Sequence, residues 1–155
     1  MHNHAPEDYK CPICLAMTGK ENKDTWIKQD DIFYQDEYIT GFISSKFIQD
    51  NEGHLILAPN KHFENIYELQ PKIGFRMVSF GKKFAIALKK IRNCDGVNFM
   101  QFNEPAGDQH AFHYHQHIIP RFESDNFHEE LWKAEKSDPK DRVKYAQDLR
   151  NYLNK

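Results

Sequence analysis

The 155-residue sequence has few of the features that mark secreted, membrane and nucleic-acid-binding proteins. Its three cysteines are an odd number and make a poor disulfide framework. No apolar run approaches the roughly 20 residues of a membrane-spanning helix, and residues 1–10 lack the apolar core of a signal peptide. The formal net charge is −2, and no polybasic face for nucleic acid or anionic lipid is evident. We therefore expect a soluble, cytoplasmic protein with neither a nucleic-acid nor a membrane partner.

The length and composition fit one domain with a sizeable core. Hydrophobic residues make up 39% of the chain and aromatic residues 14%, including 12 phenylalanines and 7 tyrosines. We expect residues 1–10 to form a flexible tail, because short polar termini are usually disordered. Residues 11–155 should form the single domain, since no repeat, low-complexity segment or linker interrupts them.

The pattern of apolar and turn-forming residues predicts an α+β fold. Apolar residues recur at three- and four-residue steps over residues 71–92, which predicts a long helix. A second helix is expected to begin at Pro139, because Asp138 is a favourable N-cap and proline fits a first turn. Strands are expected in two short runs within 32–43 and at 54–58, 97–102 and 111–122. This order indicates an antiparallel sheet with one long helix and a C-terminal helix.

Three histidines alternate with other residues in segment 113–121, which reads HYHQHIIPR. On a strand, His113, His115 and His117 would share one face, each roughly 6–7 Å from the next. An imidazole has an unperturbed pKa of about 6.5, so a neutral nucleophile and a protonated donor can coexist in such a site. The pattern fits covalent attack on phosphorus. The spacing also fits a catalytic metal site, and structural histidines are a third interpretation.

A C-x-x-C pair, Cys11 and Cys14, is the second candidate site. In a reducing compartment, such a pair suggests a metal-binding knuckle or a redox motif. No β-α-β pattern follows the pair, which argues against the redox interpretation. Two buried thiols without a metal remain the alternative to a metal site.

Four motifs in order give the chain a resemblance to the histidine triad (HIT) family. Segment 113–121 resembles the family's alternating-histidine signature followed by Pro-Arg, and segment 103–109 (NEPAGDQ) is similar to the loop before it. Segment 53–66 (GHLILAPNKHFENI) resembles the family's Gly-His strand and the turn after it, and residues 11–14 (CPIC) match the C-x-x-C of many members. The resemblance extends from the first of these motifs to the last.

The resemblance implies a fold and a reaction. The fold is a small antiparallel sheet with a long helix, paired into a homodimer through the helix at 71–92 and the strand at 97–102. In the reaction, the middle histidine, here His115, attacks the α-phosphate of a nucleoside phosphoramidate or a dinucleoside polyphosphate. A nucleotidyl-histidine forms, and water then releases the monophosphate. By the same resemblance, His115 and His117 are the catalytic residues, and the nucleotide is bound by Asn103, Gln109, His110, His115 and His117.

The resemblance also implies a zinc ion. Zinc-binding members use the two cysteines, the histidine of the Pro-x-x-His turn and the first histidine of the triad. These positions correspond here to Cys11, Cys14, His62 and His113. Such a set fills a tetrahedral shell and leaves no position for water, so the zinc should be structural.

Some positions depart from the family pattern or carry no assigned chemistry. His110 stands where phosphoramidate-cleaving members have serine or threonine near the leaving group. Lys46 stands where many members have an aspartate that binds the ribose hydroxyls. His54 is expected to be structural, and Trp132 to pack in the core or in a dimer interface. Two other functions compete with the hydrolase: a non-catalytic nucleotide-binding or interaction module with a structural zinc, and a hydrolase with a catalytic metal on the triad.

Overall fold

The structure, a computed structural model, describes residues 2–22 and 25–154. The strands within these residues are β1 (Ile32–Gln35), β2 (Ile39–Ile43), β3 (Lys46–Phe47), β4 (Leu55–Pro59), β5 (Gly96–Gln101), β6 (Gln116–Arg121) and β7 (Glu135–Lys136). The α-helices are α1 (Pro12–Met17), α2 (Pro71–Arg92), α3 (Phe127–Glu130) and α4 (Pro139–Leu153). One antiparallel sheet has the strand order β1-β2-β4-β6-β5, and β3 pairs with β7. The predicted α+β fold with an antiparallel sheet is confirmed.

Helix α2 covers one face of the sheet. It has the predicted bounds and ends at Asn93, which adopts a left-handed conformation with φ of 48°. The core on this face combines residues of α2 with residues of the central strands: Met77, Phe84, Leu88, Leu55, Leu57 and Ile118. Each large apolar side chain buried here contributes roughly 1.5–3 kcal/mol to stability. Neither α2 nor any other helix in the described residues is long and apolar enough to cross a membrane.

Helix α1 covers part of the opposite face. Alternate residues of a strand point to opposite sides of a sheet, and β4 is buried along its whole length. Leu55 and Leu57 belong to the core under α2, whereas Ile56 and Ala58 pack in a second cluster with Ile13 of α1. Strand β4 is therefore covered on both sides, which explains its run of apolar residues.

A buried ion pair fixes α4 against the segment before β1. Arg142 Nε lies 2.8 Å from Asp31 Oδ1, and both side chains are fully buried. The same guanidinium donates to the Trp26 carbonyl oxygen at 2.8 Å and to Ser137 O at 2.9 Å. Because removal of one partner leaves a buried charge unpaired, its loss should cost about 3–5 kcal/mol of stability. The pair therefore also fixes the backbone at Trp26.

Two parts of the fold differ from the sequence prediction. The strand expected over 111–122 begins only at Gln116, as β6. The residues before it leave the sheet, because His113 N donates to Ala111 O at 2.8 Å and Tyr114 N donates to Phe63 O at 2.6 Å. The pair of β3 and β7 has no counterpart in the prediction, since strands of two residues are too short to show a periodic pattern.

The N-terminal segment, for which the sequence predicts a flexible tail, makes hydrogen bonds to residues that follow β4. Asn65 Nδ2 donates to His2 O at 3.0 Å, and Ala5 N donates to both carboxylate oxygens of Glu64 at 3.3 Å. These contacts place the segment beside the turn that carries His62.

Candidate active site and metal-binding group

A cavity of about 770 Å³ lies on the face of the sheet that α1 partly covers. Its apolar wall includes Ile13 of α1, Phe42 of β2 and Ile56 of β4. Four histidine side chains also line the cavity: His54, His110, His115 and His117. An apolar cavity with a few convergent polar groups is the usual form of a small-molecule site.

The side chain of His115 has one fixed orientation and one available nitrogen. His115 Nδ1 lies 2.7 Å from the carbonyl oxygen of His113, which can only accept, so Nδ1 carries the proton. The other ring nitrogen, Nε2, then carries the lone pair. Burial lowers the pKa of His115 below its usual value, which keeps the ring neutral near pH 7. The ring is therefore prepared to act as a nucleophile.

His117, the second predicted catalytic residue, lies in β6, two residues after His115. The two ring centroids are 5.0 Å apart, and His117 Nδ1 lies 3.4 Å from His54 Nε2. Burial, followed by the neighbouring rings of His115 and His54, holds the pKa of His117 well below its usual value. The sequence suggests a protonated histidine as the donor beside the nucleophile. The lowered pKa instead makes the ring of His117 neutral in the free protein. Its N–H can still donate to a phosphoryl oxygen, and a bound anion would raise its pKa.

His54 belongs to the cavity, although the sequence predicts only a structural role for it. Its side chain is 3% exposed, and burial lowers its pKa to about 3. Among the described atoms, Nδ1 of its ring has no hydrogen-bond partner. The sequence signal for a place in the cavity is a histidine directly before the fully apolar strand β4. A buried polar side chain at such a position is costly without a use.

The predicted nucleotide-binding residues of the loop before β6 do not all reach the cavity. His110 is exposed on the cavity wall. Gln109 also lines the cavity, but its amide holds the loop: Nε2 donates to Glu64 O at 2.6 Å, and Oε1 accepts from Glu104 N at 2.7 Å. Asn103 is not among the described residues that line the cavity. Its side chain accepts from Ile66 N at 2.8 Å.

The sequence predicts that Trp132 packs in the core or in a dimer interface. In the structure it lies on the cavity wall and is 58% exposed, so it is not a core residue. Its ring centroid lies 5.9 Å from that of Phe102, which lies 5.7 Å from that of His117. An aromatic wall therefore runs from the mouth of the cavity to the histidines.

His113 is separated from the other two triad histidines and faces the two cysteines. Its Nδ1 lies 3.3 Å from Cys11 Sγ and 3.4 Å from Cys14 Sγ. Its Nε2 donates to the Pro59 carbonyl oxygen at 2.9 Å, so the Nδ1 lone pair points at the sulfurs. The expectation of three imidazoles on one face is wrong, since His113 faces the two cysteines whereas His115 and His117 line the cavity. This arrangement also argues against one catalytic metal held by all three histidines.

His62 completes a group of four ligating side chains. His62 Nδ1 lies 3.4 Å from Cys14 Sγ, and the ligating atoms of Cys11, Cys14, His62 and His113 all lie within 4.8 Å of one another. Tetrahedral zinc with ordinary Zn–S and Zn–N bonds separates its ligand atoms by roughly 3.3–3.8 Å. The four predicted ligands therefore meet at one point and can hold a metal ion.

The charge state of the cysteines agrees with this interpretation. The hydrogen bond from Cys14 lowers the pKa of the Cys11 thiol, and His113 lowers it further. The same bond raises the pKa of the Cys14 thiol, because two adjacent thiolates repel each other. A bound dication removes this conflict, since metal binding deprotonates coordinating thiols.

Comparisons with known proteins identify the family and the fold of the chain. The family model described as HIT domain matches residues 27–124. Protein hit of Bacillus subtilis is 30% identical over 118 residues, which cover 76% of this chain and 77% of that protein. Adenylylsulfatase HINT3 of Arabidopsis thaliana is 33% identical over 85 residues, which cover 55% of this chain and 41% of that protein. A zinc-bound histidine triad family protein from Mycobacterium smegmatis has the same fold, with a TM-score of 0.75, 24% identity and 94% coverage of each chain.

Proposed function

The chain belongs to the HIT domain family, and from this premise we propose that it is a nucleotide hydrolase or nucleotidyl transferase that acts at the α-phosphate through His115. The observation that carries the proposal is the hydrogen bond of His115 Nδ1 to the His113 carbonyl oxygen at 2.7 Å, beside a large cavity. That bond leaves Nε2 as the nucleophilic nitrogen of a neutral ring.

The first step would be attack by His115 Nε2 on the α-phosphorus. The new phosphorus–nitrogen bond forms as the bond to the leaving group breaks, and the leaving group departs with the electron pair and takes up a proton from the surrounding water. The ring of His115 becomes cationic, and its Nδ1–H remains bonded to the His113 carbonyl oxygen. A preset acceptor at this position stabilises the developing charge without reorganisation.

The second step would return the enzyme to its starting state. Water attacks the phosphorus, the phosphorus–nitrogen bond breaks, and its electron pair returns to Nε2. The attacking water loses a proton to the surrounding water, which balances the proton taken up in the first step, and a nucleoside monophosphate is released. His117 would donate its ring N–H to the phosphoryl oxygens in both steps, and His54 would orient His117 through their contact at 3.4 Å.

The substrate would be a nucleoside phosphoramidate or a dinucleoside polyphosphate. The exposed side chain of His110 and the aromatic wall of Phe102 and Trp132 border the cavity, where they can receive the leaving group. A relative named as an adenylylsulfatase supports hydrolysis at a nucleotide. No described contact selects between an amine and a nucleotide as leaving group, so both classes belong in the test.

We also propose that Cys11, Cys14, His62 and His113 hold one structural zinc ion. Four protein ligands close the metal shell, so the ion would polarise no water and take no part in the reaction. It would fix the backbone at His113, whose carbonyl oxygen orients His115. The metal would therefore act on the chemistry only through the position of the nucleophile.

The proposed reaction is tested with adenosine and guanosine phosphoramidates and with dinucleoside polyphosphates of both bases. We expect release of nucleoside monophosphate, and in protein quenched in alkaline denaturant a mass increase of one nucleotidyl group on the peptide that contains His115. Absence of both signals with every probe would contradict the proposal and favour a non-catalytic nucleotide-binding or interaction module. Immediate loss of release with a chelator, restored by added metal while the protein stays folded, would instead indicate a catalytic metal.

A further inference from the structure

Two lysines flank one tryptophan at the part of the cavity formed by the segment before β1. Lys46 Nζ lies 5.6 Å from the centroid of the Trp26 ring, and Lys136 Nζ lies 5.1 Å from the same centroid. Strands β3 and β7 set this arrangement, because their register places Lys46 opposite Lys136. Trp26 and Lys46 both line the cavity.

The charge at this place has no described counterion. Within residues 2–22 and 25–154, neither Lys46 nor Lys136 forms an ion pair. The described residues that line the cavity include a further lysine, Lys10, and one carboxylate, Asp108. The cavity is thus locally cationic in a chain whose formal net charge is −2, and such a site attracts an anion.

Lys46 and the histidines line the same cavity. Ser44 N donates to the His54 carbonyl oxygen at 2.9 Å, which places Ser44 beside the histidine directly before β4. Lys46 follows two residues later, after a bend at Ser45, and its backbone N–H donates to Ser44 Oγ at 3.3 Å. A nucleotide with its α-phosphate at His115 that extends along this wall towards Trp26 would bring its ribose close to Lys46.

We propose that this cationic pair binds a second phosphate, carried on the ribose of the nucleotide substrate. The inference rests on the proposed function for the position of the α-phosphate. In nucleotide sites a carboxylate accepts hydrogen bonds from free ribose hydroxyls, whereas a cation accommodates a ribose phosphate. Ammonium groups bind phosphate as point charges, and both ammonium nitrogens lie within 5.6 Å of the centroid of the Trp26 ring.

A phosphate could reach the same lysines from a 5′-polyphosphate chain, so the test includes both sources. The dissociation constants of adenosine 5′-monophosphate, 5′-diphosphate, 2′,5′-bisphosphate and 3′,5′-bisphosphate, and of the matching guanosine series, are measured by calorimetry at 0.15 M salt. We expect at least one ribose bisphosphate to bind about tenfold more tightly than the monophosphate, since exposed charge pairs contribute up to about fivefold each. The 5′-diphosphate should show no gain that depends on the lysines.

The double variant Lys46→Gln/Lys136→Gln should bind the bisphosphate and the monophosphate equally. Lys144→Gln is the matched control, because Lys144 is an exposed lysine of α4 that is outside the described cavity wall. An unchanged preference in the double variant, or a lysine-dependent gain for the 5′-diphosphate alone, would overturn the inference while leaving the proposed function intact. If none of the nucleotides binds, the proposed function fails as well.

Discussion

His113 and His115 are joined by a hydrogen bond that links the metal-binding group to the candidate nucleophile. The His113 carbonyl oxygen accepts from His115 Nδ1 at 2.7 Å, while the ring of His113 faces Cys11 Sγ at 3.3 Å. One residue therefore contributes its side chain to the metal-binding group and its backbone to the orientation of the candidate nucleophile. Movement of His113 would misplace the proton that selects the nucleophilic nitrogen of His115.

Replacement of the nucleophile should abolish turnover. We expect His115→Ala to lower kcat/KM by more than the roughly 10²–10⁴-fold that loss of a general acid or base costs, because no covalent intermediate can form. His128→Ala is the control, since His128 is exposed and outside the described cavity wall. Circular dichroism checks that both variants fold. Activity of His115→Ala close to that of the wild type would show that the nucleophile is assigned to the wrong residue.

The buried ring of His54 should make the protein sensitive to acid. Its pKa is about 3 in the folded protein and about 6.5 in the unfolded chain, so the unfolded chain binds more protons between these values. This contribution to stability is complete above pH 6.5 and declines as the pH falls towards 3. Between pH 7 and pH 5 the loss from His54 should be about 2 kcal/mol. Denaturant unfolding should show a smaller loss in His54→Gln, and an equal loss in both proteins would contradict the shifted pKa.

His110 should influence the choice of leaving group. It is exposed on the cavity wall, at a position where the resemblance places serine or threonine in phosphoramidate-cleaving members. We expect His110→Ser to raise the ratio of kcat/KM for phosphoramidates to kcat/KM for dinucleoside polyphosphates. Both constants are measured on the same preparation, so that active-site concentration cancels from the ratio. An unchanged ratio would remove His110 from the specificity determinants.

A homodimer should form through the exposed apolar surface of β5 and α2. Strand β5 lies at an edge of the sheet, and Phe99 on it is 44% exposed. Phe75, on α2, is 76% exposed, and large exposed apolar patches mark association sites. Light scattering at micromolar concentration should give about 37 kDa, twice the 18.4 kDa of the chain. Phe99→Glu should shift the mass towards the monomer, and a wild-type mass of about 18 kDa would refute the dimer.

Removal of the proposed zinc should destabilise the domain. Structural zinc sites have apparent binding free energies of roughly 10–16 kcal/mol, and whole domains are stable by only about 5–15 kcal/mol. We expect elemental analysis to find one zinc per chain, and chelation to lower the melting temperature. Added zinc should not restore activity to Cys11→Ala/Cys14→Ala. The control is Cys94→Ala, because Cys94 lies outside the ligand group. If zinc-free protein keeps full activity and an unchanged melting temperature, the zinc site is contradicted and Cys11 and Cys14 are buried thiols.

Much of the fold could be predicted from the sequence because it depends on local patterns. The apolar periodicity of residues 71–92 gave the bounds of α2, and Asp138 with Pro139 marked the start of α4. The long apolar run of β4 reflects burial on both faces, which a sequence records directly.

Less of the candidate site could be predicted from the sequence, because its geometry depends on contacts between distant segments. The alternation of three histidines predicts that they share one face of a strand. In the structure, His113 Nδ1 instead faces the sulfur of Cys11, which is 102 residues away in the sequence. The side chain of Gln109 is similarly engaged by Glu64 O. Sequence patterns identify which side chains can ligate or attack, whereas these long-range hydrogen bonds decide which of them face the cavity.

The position of Arg142 in the sequence bears on how the substrate selectivity of this chain can change. Its guanidinium holds the carbonyl oxygen of Trp26, and Arg142 lies beyond residue 124, where the match to the HIT domain ends. Trp132 and Lys136 lie beyond the same point. The proposed catalytic histidines thus lie inside the matched domain, while residues after it, such as Trp132, line the cavity. We expect this C-terminal segment to act as an interchangeable specificity module that can diverge, or be engineered, without altering the catalytic histidines.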